Sequence, residues 1–269
     1  MSVITISRGS FSGGTMLAEC LSKSLGYRCV DREVIVERAA ARGVSQDELR
    51  DALQKPPTFL ERLQHKKYLY LVLIQAALSE EVREGKAVYH GNAGHLLLKG
   101  GPHVLRVRII APIEFRVKMA QERLKLSRAE ALDYIARMDQ DRRKWAQYLY
   151  AVDWGDPANY DIVLNLEHMT IREACETVST LARQRCFEFT SRCQAAMDDL
   201  ALASRVRAEL ALDAATSHLE FDVQSKHGAV RIHGAVTGTQ DVAEIQRIAL
   251  AVPGVVSLNL DELASPVRA

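Results

Sequence analysis

The stretch Ser7-Arg8-Gly9-Ser10-Phe11-Ser12-Gly13-Gly14-Thr15 limits what this chain can fold into more than any other. It follows a short apolar run, Val3-Ile4-Thr5-Ile6, and precedes a helical pattern, Met16-Leu17-Ala18-Glu19-Cys20-Leu21. A strand, a glycine-containing loop and a helix in that order make an anion site. The first N–H groups of a helix have no partner inside it, and the helix dipole adds positive potential there. Gly13 and Gly14 lack a Cβ, so the backbone can come close to a phosphate. Against the phosphate-binding pattern G-x-x-x-x-G-K-[ST], the stretch is read with Ser7 at the first Gly and Gly14 at the Lys. Thr15 then stands at the hydroxyl that holds Mg²⁺. The plainer alternative is a glycine turn joining strand to helix.

Further strands are predicted at Tyr27–Val30, Ala87–His90, Val104–Ile110 and Ile162–Asn165. Helical patterns separate them. Asp31-Arg32 caps one running to about Arg42, and Ser45 caps another over Gln46–Leu53. Lys55-Pro56-Pro57 breaks the chain before a long helix from Phe59 to Glu84. A short helix is expected over Ala93–Leu98, and Ala111-Pro112 starts the next. Ser127 with Glu130, and Thr170 with Glu173, are capping boxes. Strands alternating with helices predict a parallel sheet covered by helices on both faces, with ligands outside the carboxyl ends of its strands. The loop, Asp31-Arg32 and Gly91-Asn92 all fall at that edge.

The pattern changes near Met197. A helix over Asp198–Leu210 is followed by alternation at Leu219, Phe221 and Val223, a turn at Lys226-His227-Gly228, and alternation at Val230 and Ile232. A helix over Thr239–Val252 and a strand over Val255–Leu260 complete a small α+β module of order α-β-β-α-β. The expected domains are residues 1–190 and 197–264, joined by a continuous helical linker near Arg185–Met197.

Charge divides along the same line. The whole chain has a net charge of +1, but from Met197 onward 6 Lys+Arg face 10 Asp+Glu, which leaves +5 for the part before it. A mildly basic front part suits a phosphorylated substrate, and nothing in the charge calls for nucleic acid. The five cysteines are scattered, form no C-x-x-C pair, and read as reduced thiols in an intracellular, cytoplasmic protein. The opening strand is not a secretory leader, and the longest apolar stretch, Tyr68–Leu78, is too short to span a bilayer.

Phosphoryl transfer requires charge to be neutralised around the moving group. The run Arg137-Met138-Asp139-Gln140-Asp141-Arg142-Arg143-Lys144 offers guanidinium groups that bind phosphate oxygens in two places, or a solvated helix face with internal ion pairs. Asp31-Arg32 offers an acceptor and a phosphate donor, or a helix cap. His90, His95 and His103 lack ligand spacing and read as core or surface histidines.

From Val3 to about Ala174 the chain resembles the cytidylate-kinase-like family of P-loop nucleoside-monophosphate kinases. The likeness rests on Ser12-Gly13-Gly14, Val30-Asp31-Arg32-Glu33, Val88-Tyr89-His90-Gly91-Asn92-Ala93, Ile109-Ile110-Ala111-Pro112 and Asp139-Gln140-Asp141-Arg142. Its most specific part is Asp153-Trp154-Gly155-Asp156-Pro157-Ala158-Asn159-Tyr160-Asp161-Ile162-Val163-Leu164-Asn165. The resemblance implies a P-loop NTPase fold, with ATP and Mg²⁺ bound at Ser12, Gly13, Gly14 and Thr15. It implies a nucleoside monophosphate, CMP or dCMP, near Asp31, Arg32, Gly91 and Asn92, and catalytic roles for Asp139 and Arg142 on a lid. Ser7 and Phe11 stand where the family usually has Gly, with Phe11 expected to crowd the loop, and Asn92 stands where an Arg is expected.

Residues 198–262 are similar to a BON module, on Gly234-Ala235-Val236 and Val252-Pro253-Gly254-Val255. That likeness implies attachment to a membrane surface or a protein partner, or regulation or homo-oligomerisation. Two readings follow: an ATP-dependent nucleoside-monophosphate kinase with an accessory module, or a non-catalytic nucleotide sensor signalling through it.

Overall fold

A computed structural model describes residues 2–54, 66–101 and 103–264. Strands β1 (Val3–Arg8), β2 (Arg28–Val30), β3 (Ala87–Tyr89), β4 (Val104–Ile110) and β5 (Ile162–Asn165) form one parallel sheet in the order β2-β3-β1-β4-β5. All five lie where the apolar runs predict. β1 is central and buried along nearly its whole length, which is why it reads as an unbroken apolar run. It pairs with β3 on one side (Thr5↔Tyr89) and β4 on the other (Arg8↔Ile109), so its carboxyl end is the point where the strand order reverses. Crevices for ligands open there.

The intervening helices are α1 (Gly14–Leu25), α2 (Arg32–Ala40), α3 (Gln46–Gln54), α4 (Lys66–Glu81), α5 (Gly94–Leu97), α6 (Ile113–Leu124), α7 (Arg128–Tyr150) and α8 (Ile171–Ala182). The expected breaker Lys55-Pro56-Pro57 and the first turns of the helix expected from Phe59 lie outside the described residues. Both capping boxes form: Ser127 with Glu130 opens α7, and Thr170 with Glu173 opens α8. Ile4, Ile6, Val88, Leu105, Val107 and Ile109 turn one sheet face toward Leu17, Ala18 and Leu21 of α1 and Ala174 and Val178 of α8. Each such Leu buried contributes about 1.5–3 kcal/mol.

One cysteine expectation is corrected. Cys20 of α1 and Cys175 of α8 form a disulfide, with Cα atoms 6.1 Å apart. The two helices lie side by side on the same sheet face, so residues 155 apart in sequence become neighbours. Cys29, Cys186 and Cys193 keep their thiols outside this disulfide.

The chain divides into two compact units. One has its described residues within 1–35, 53–56 and 85–189 and contains the parallel sheet. The other has them within 36–52, 57–84 and 190–269. In the second, α9 (Ser191–Leu212), β6 (Phe221–Lys226), β7 (Ala229–Ala235), α10 (Thr239–Ala251), β8 (Ser257–Asn259) and β9 (Leu263–Ala264) follow in order. The linker is not the continuous helix expected: α8 stops at Ala182, a 3₁₀ turn covers Arg185–Phe187, and Thr190 caps a new helix. The β6–β7 hairpin turns on His227 and Gly228 at φ 52° and 83°, the two left-handed residues of a type I′ turn. The module also carries β9, which pairs with β7 and which the sequence did not announce. α4 packs along α9 in this unit. Among the described residues no helix is long and apolar enough to cross a membrane.

Candidate functional site

The loop after β1 is built around two left-handed residues, Phe11 (φ 60°) and Gly13 (φ 84°). Gly13 is the N-cap of α1 and supplies no side-chain cap. Helical bonding begins with Leu17 N–H donating to Gly13 O, so the amides of Gly14, Thr15 and Met16 carry no bond within the helix. A left-handed N-cap suits glycine, and a Cβ there would stand 2.9 Å from Ile171 Cδ1. Phe11 is one of the residues that line the cavity over the loop. Its ring packs against Val117, Ala120, Ala131 and Ile135 of α6 and α7, with the Tyr134 ring centroid 6.0 Å away.

A cavity of about 170 Å³ opens over this loop. Arg8, Ser10, Ser12, Gly13, Gly14 and Thr15 line it from below, and Arg123, Tyr134 and Arg142 from α6 and α7. Three arginines line it, and among the described residues no carboxylate does. Burial, then Arg142, pulls the Arg8 pKa down to about 10. Burial also lowers that of Arg142, with Asp139 opposing the shift. Two buried polar atoms on the lining, Ser12 Oγ and Arg142 Nε, have no hydrogen-bond partner. Helix amides without an intrahelical partner, arginines beside them and two orphaned polar atoms together fit a phosphate chain.

The structure brings Ser12, Gly13, Gly14, Thr15 and Arg142 together around this cavity. Arg142 Nη1 donates to Ser10 Oγ at 2.9 Å. Asp139 does not line the cavity. Its Oδ1 accepts from Ser10 N–H at 3.0 Å, and its Oδ2 accepts from Arg116, whose Nε in turn donates to Ser10 O at 2.7 Å. Asp139 and Arg116 therefore hold the loop backbone from both sides of Ser10.

The four residues expected to hold the acceptor also lie off the cavity wall. Asp31 Oδ1 accepts from Val34 N–H and caps α2. Arg32 is paired with Glu33 through Nε and Nη2. Gly91 lies under Tyr89, whose hydroxyl a Cβ at that position would strike. Asn92 Nδ2 donates to Leu53 O at 2.9 Å. His90, His95 and His103 are all buried, as core histidines.

The Trp154–Tyr160 segment supports the loop from behind. Trp154 O accepts from Arg108 and from Tyr160 Oη, and Tyr160 Oη meets Ser7 Oγ at 3.1 Å. Ser7 is thus a strand residue and not the first position of the loop. Counting back from Gly13, the pattern G-x-x-x-x-G places Arg8 at its first Gly. Sequence reasoning missed Arg8, Arg116 and Arg123. Arg8 was available from that spacing. Arg116 and Arg123 lie seven apart, two turns along one face of α6.

Residues 3–168 match the model of the Cytidylate kinase-like family, and residues 198–261 that of the BON domain. A cytidylate kinase of Thermococcus kodakarensis is 27% identical over 167 residues, covering 62% of this chain and 80% of that protein. One from Ignicoccus hospitalis is 28% identical over 185 residues, covering 67% and 99%. Among solved structures, an uncharacterized protein from Eubacterium ventriosum superposes with a TM-score of 0.55 at 18% identity, over 69% of this chain and all of that one, a likeness of fold.

Proposed function

The chain belongs to the cytidylate kinase-like family over residues 3–168, and from that premise we propose that it transfers a phosphoryl group from ATP to a nucleoside monophosphate, CMP or dCMP. The observation that carries this reading is the cavity over Gly13–Thr15, lined by three arginines and, among the described residues, no acid. When bound, Mg²⁺-ATP supplies the phosphoryl group and the cation that offsets its charge. The amides of Gly14, Thr15 and Met16 and the Thr15 hydroxyl are the groups of this chain that would hold them. Arg142 offers its guanidinium to the charge that spreads over the moving group. Asp139 is a positioning residue that acts through Ser10 and Arg116. The acceptor is already an anionic phosphate, so no side chain has to remove a proton from it.

The test is a coupled assay with ATP and Mg²⁺ against CMP, dCMP, UMP and AMP. Turnover of CMP or dCMP above the others is the expected result. ATP binding with no turnover of any of the four would overturn it.

Asn92 favours the second reading, a nucleotide sensor, because its amide is already committed to Leu53 O and is a weaker phosphate partner than a guanidinium. Asn92→Arg separates the two. In a kinase it should tighten CMP by about one to two orders of magnitude, whereas a sensor with no acceptor site would gain nothing. The acidic BON module suits a protein or small-molecule partner better than an anionic lipid surface.

A further inference from the structure

Gly14 takes the position at which phosphate-binding loops carry a lysine. Without that cation the loop itself offers a polyphosphate amides and hydroxyls but no charge. The space in which such a lysine would begin is already filled. A Cβ built on Gly14 would lie 2.1 Å from Arg8 Cδ and 3.2 Å from Arg8 Cβ and Cγ. Arg8 stands at the first-glycine position of the same pattern, at the end of β1, and its side chain crosses directly over the start of α1.

Arg8 lines the cavity with Arg142 and Arg123. Arg8 Nη1 donates to His90 O, which anchors the guanidinium at one corner. Arg142, Arg32 and Arg123 add repulsion to the cost of its burial, and Tyr89 opposes them. A buried cation among cations is costly unless an anion completes the cluster.

We propose that Arg8 is the phosphate-binding cation of this site, doing from strand β1 what a lysine at position 14 does from the helix, and that Gly14 is glycine because Arg8 passes over it. This rests on the nucleotide reading of the cavity and adds a residue to it. The ligand chemistry is a polyphosphate chain, whose oxygens the planar fork can bind in pairs. Arg8 and Gly14 are one unit: a lysine at 14 and an arginine at 8 exclude each other sterically.

The test is calorimetric binding of ATP, ADP and inorganic tripolyphosphate to the full chain, with thermal melts of each variant free and with ATP. Arg8→Met should weaken all three ligands by about 10- to 100-fold. It should also leave the melting temperature of the free protein unchanged or raised, because a repelled cation is gone. Arg8→Lys should retain most of the affinity. Gly14→Lys alone should lose binding by collision with Arg8, and Arg8→Ala combined with Gly14→Lys should recover it to within about tenfold of wild type. A folded Arg8→Met that binds tripolyphosphate like wild type would overturn the assignment. So would a double variant that binds no better than Gly14→Lys alone. Wild type that binds none of the three ligands would sink the nucleotide reading and this assignment together. Wild type that binds ATP but turns over no monophosphate would sink only the kinase reading, and the Arg8 titrations would still decide the assignment.

Discussion

His95 gives the sheet-bearing unit a built-in sensitivity to acid. It lies on α5, 4% exposed, with the Trp154 ring 5.2 Å away at 76° and the Tyr160 ring at 4.8 Å. Its Nε2 has no hydrogen-bond partner. Burial, and then Arg106 and Arg108, bring its pKa from 6.5 down to about 3. Folding therefore needs the neutral ring, while the unfolded chain takes up a proton below pH 6.5. The stability tied to the neutral ring is fully present above pH 6.5 and is lost as pH falls toward 3, at about 1.4 kcal/mol per pH unit. Relative to pH 7, this one side chain should cost about 2 kcal/mol at pH 5 and about 3 kcal/mol at pH 4. His90 and His103 are shifted in the same direction by burial, so the wild-type slope alone does not isolate His95. His95→Phe does, since a phenyl ring fits the aromatic contacts and does not titrate. Urea unfolding followed by tryptophan fluorescence at pH 7, 6, 5 and 4 should give a variant that closes on wild type, or passes it, as pH falls. Parallel curves for the two proteins across that range would refute the buried neutral histidine.

Three further outcomes follow from the contacts. Asp139→Asn removes the charge that binds Arg116 and the Ser10 amide, and should cost about 2–3 kcal/mol after allowance for its partial exposure; hydrogen exchange at Ser10 should quicken, and unchanged protection there would contradict the tether. Under denaturing, non-reducing conditions an alkylating reagent should label Cys29, Cys186 and Cys193 and spare Cys20 and Cys175, and labelling of all five would disprove the disulfide. A chain cut after residue 190 should expose the buried Val72, Leu73, Ile74 and Leu78 of α4, which packs along α9, and should aggregate or melt earlier than the full chain; a soluble fragment with an undiminished melting temperature would argue that α4 does not depend on the module.

The sheet was legible because its signals are local. β1, β3 and β5 each carry a short apolar run, and each capping box spells itself in four residues, as Ser127 with Glu130 does. The hairpin at His227-Gly228 was legible for the same reason. What stayed hidden depends on residues far apart in sequence. Nothing near Cys20 points to Cys175, and only the packing of α1 beside α8 makes them neighbours. Asp139 could be placed on a helix with arginines around it, and Arg142 of that helix does pair with it, but its other partners, the Ser10 amide and Arg116, come from a loop and another helix. Asn92 was correctly put at a strand end, yet the carbonyl it binds belongs to Leu53, across a segment no periodicity connects to it.

Arg8 is the instructive case, because a one-residue difference in register decided whether it was seen. Read from Ser7, the loop is a phosphate-binding pattern that has lost both its first glycine and its lysine, and the natural conclusion is a weakened site. Counted from Gly13, the same residues show an arginine where the glycine stood and a glycine where the lysine stood. Two separate losses become one exchange, and sterics explain why both changes occur together: the Arg8 stem occupies the volume that any side chain at 14 would need. A missing motif residue therefore says little about lost chemistry until the structure shows what fills the vacated space. Here it is filled by an arginine that lines the same cavity, so the absence of the lysine does not by itself argue for the sensor over the kinase. The weight of that choice moves to the acceptor side, to Asn92 and the commitment of its amide to Leu53 O.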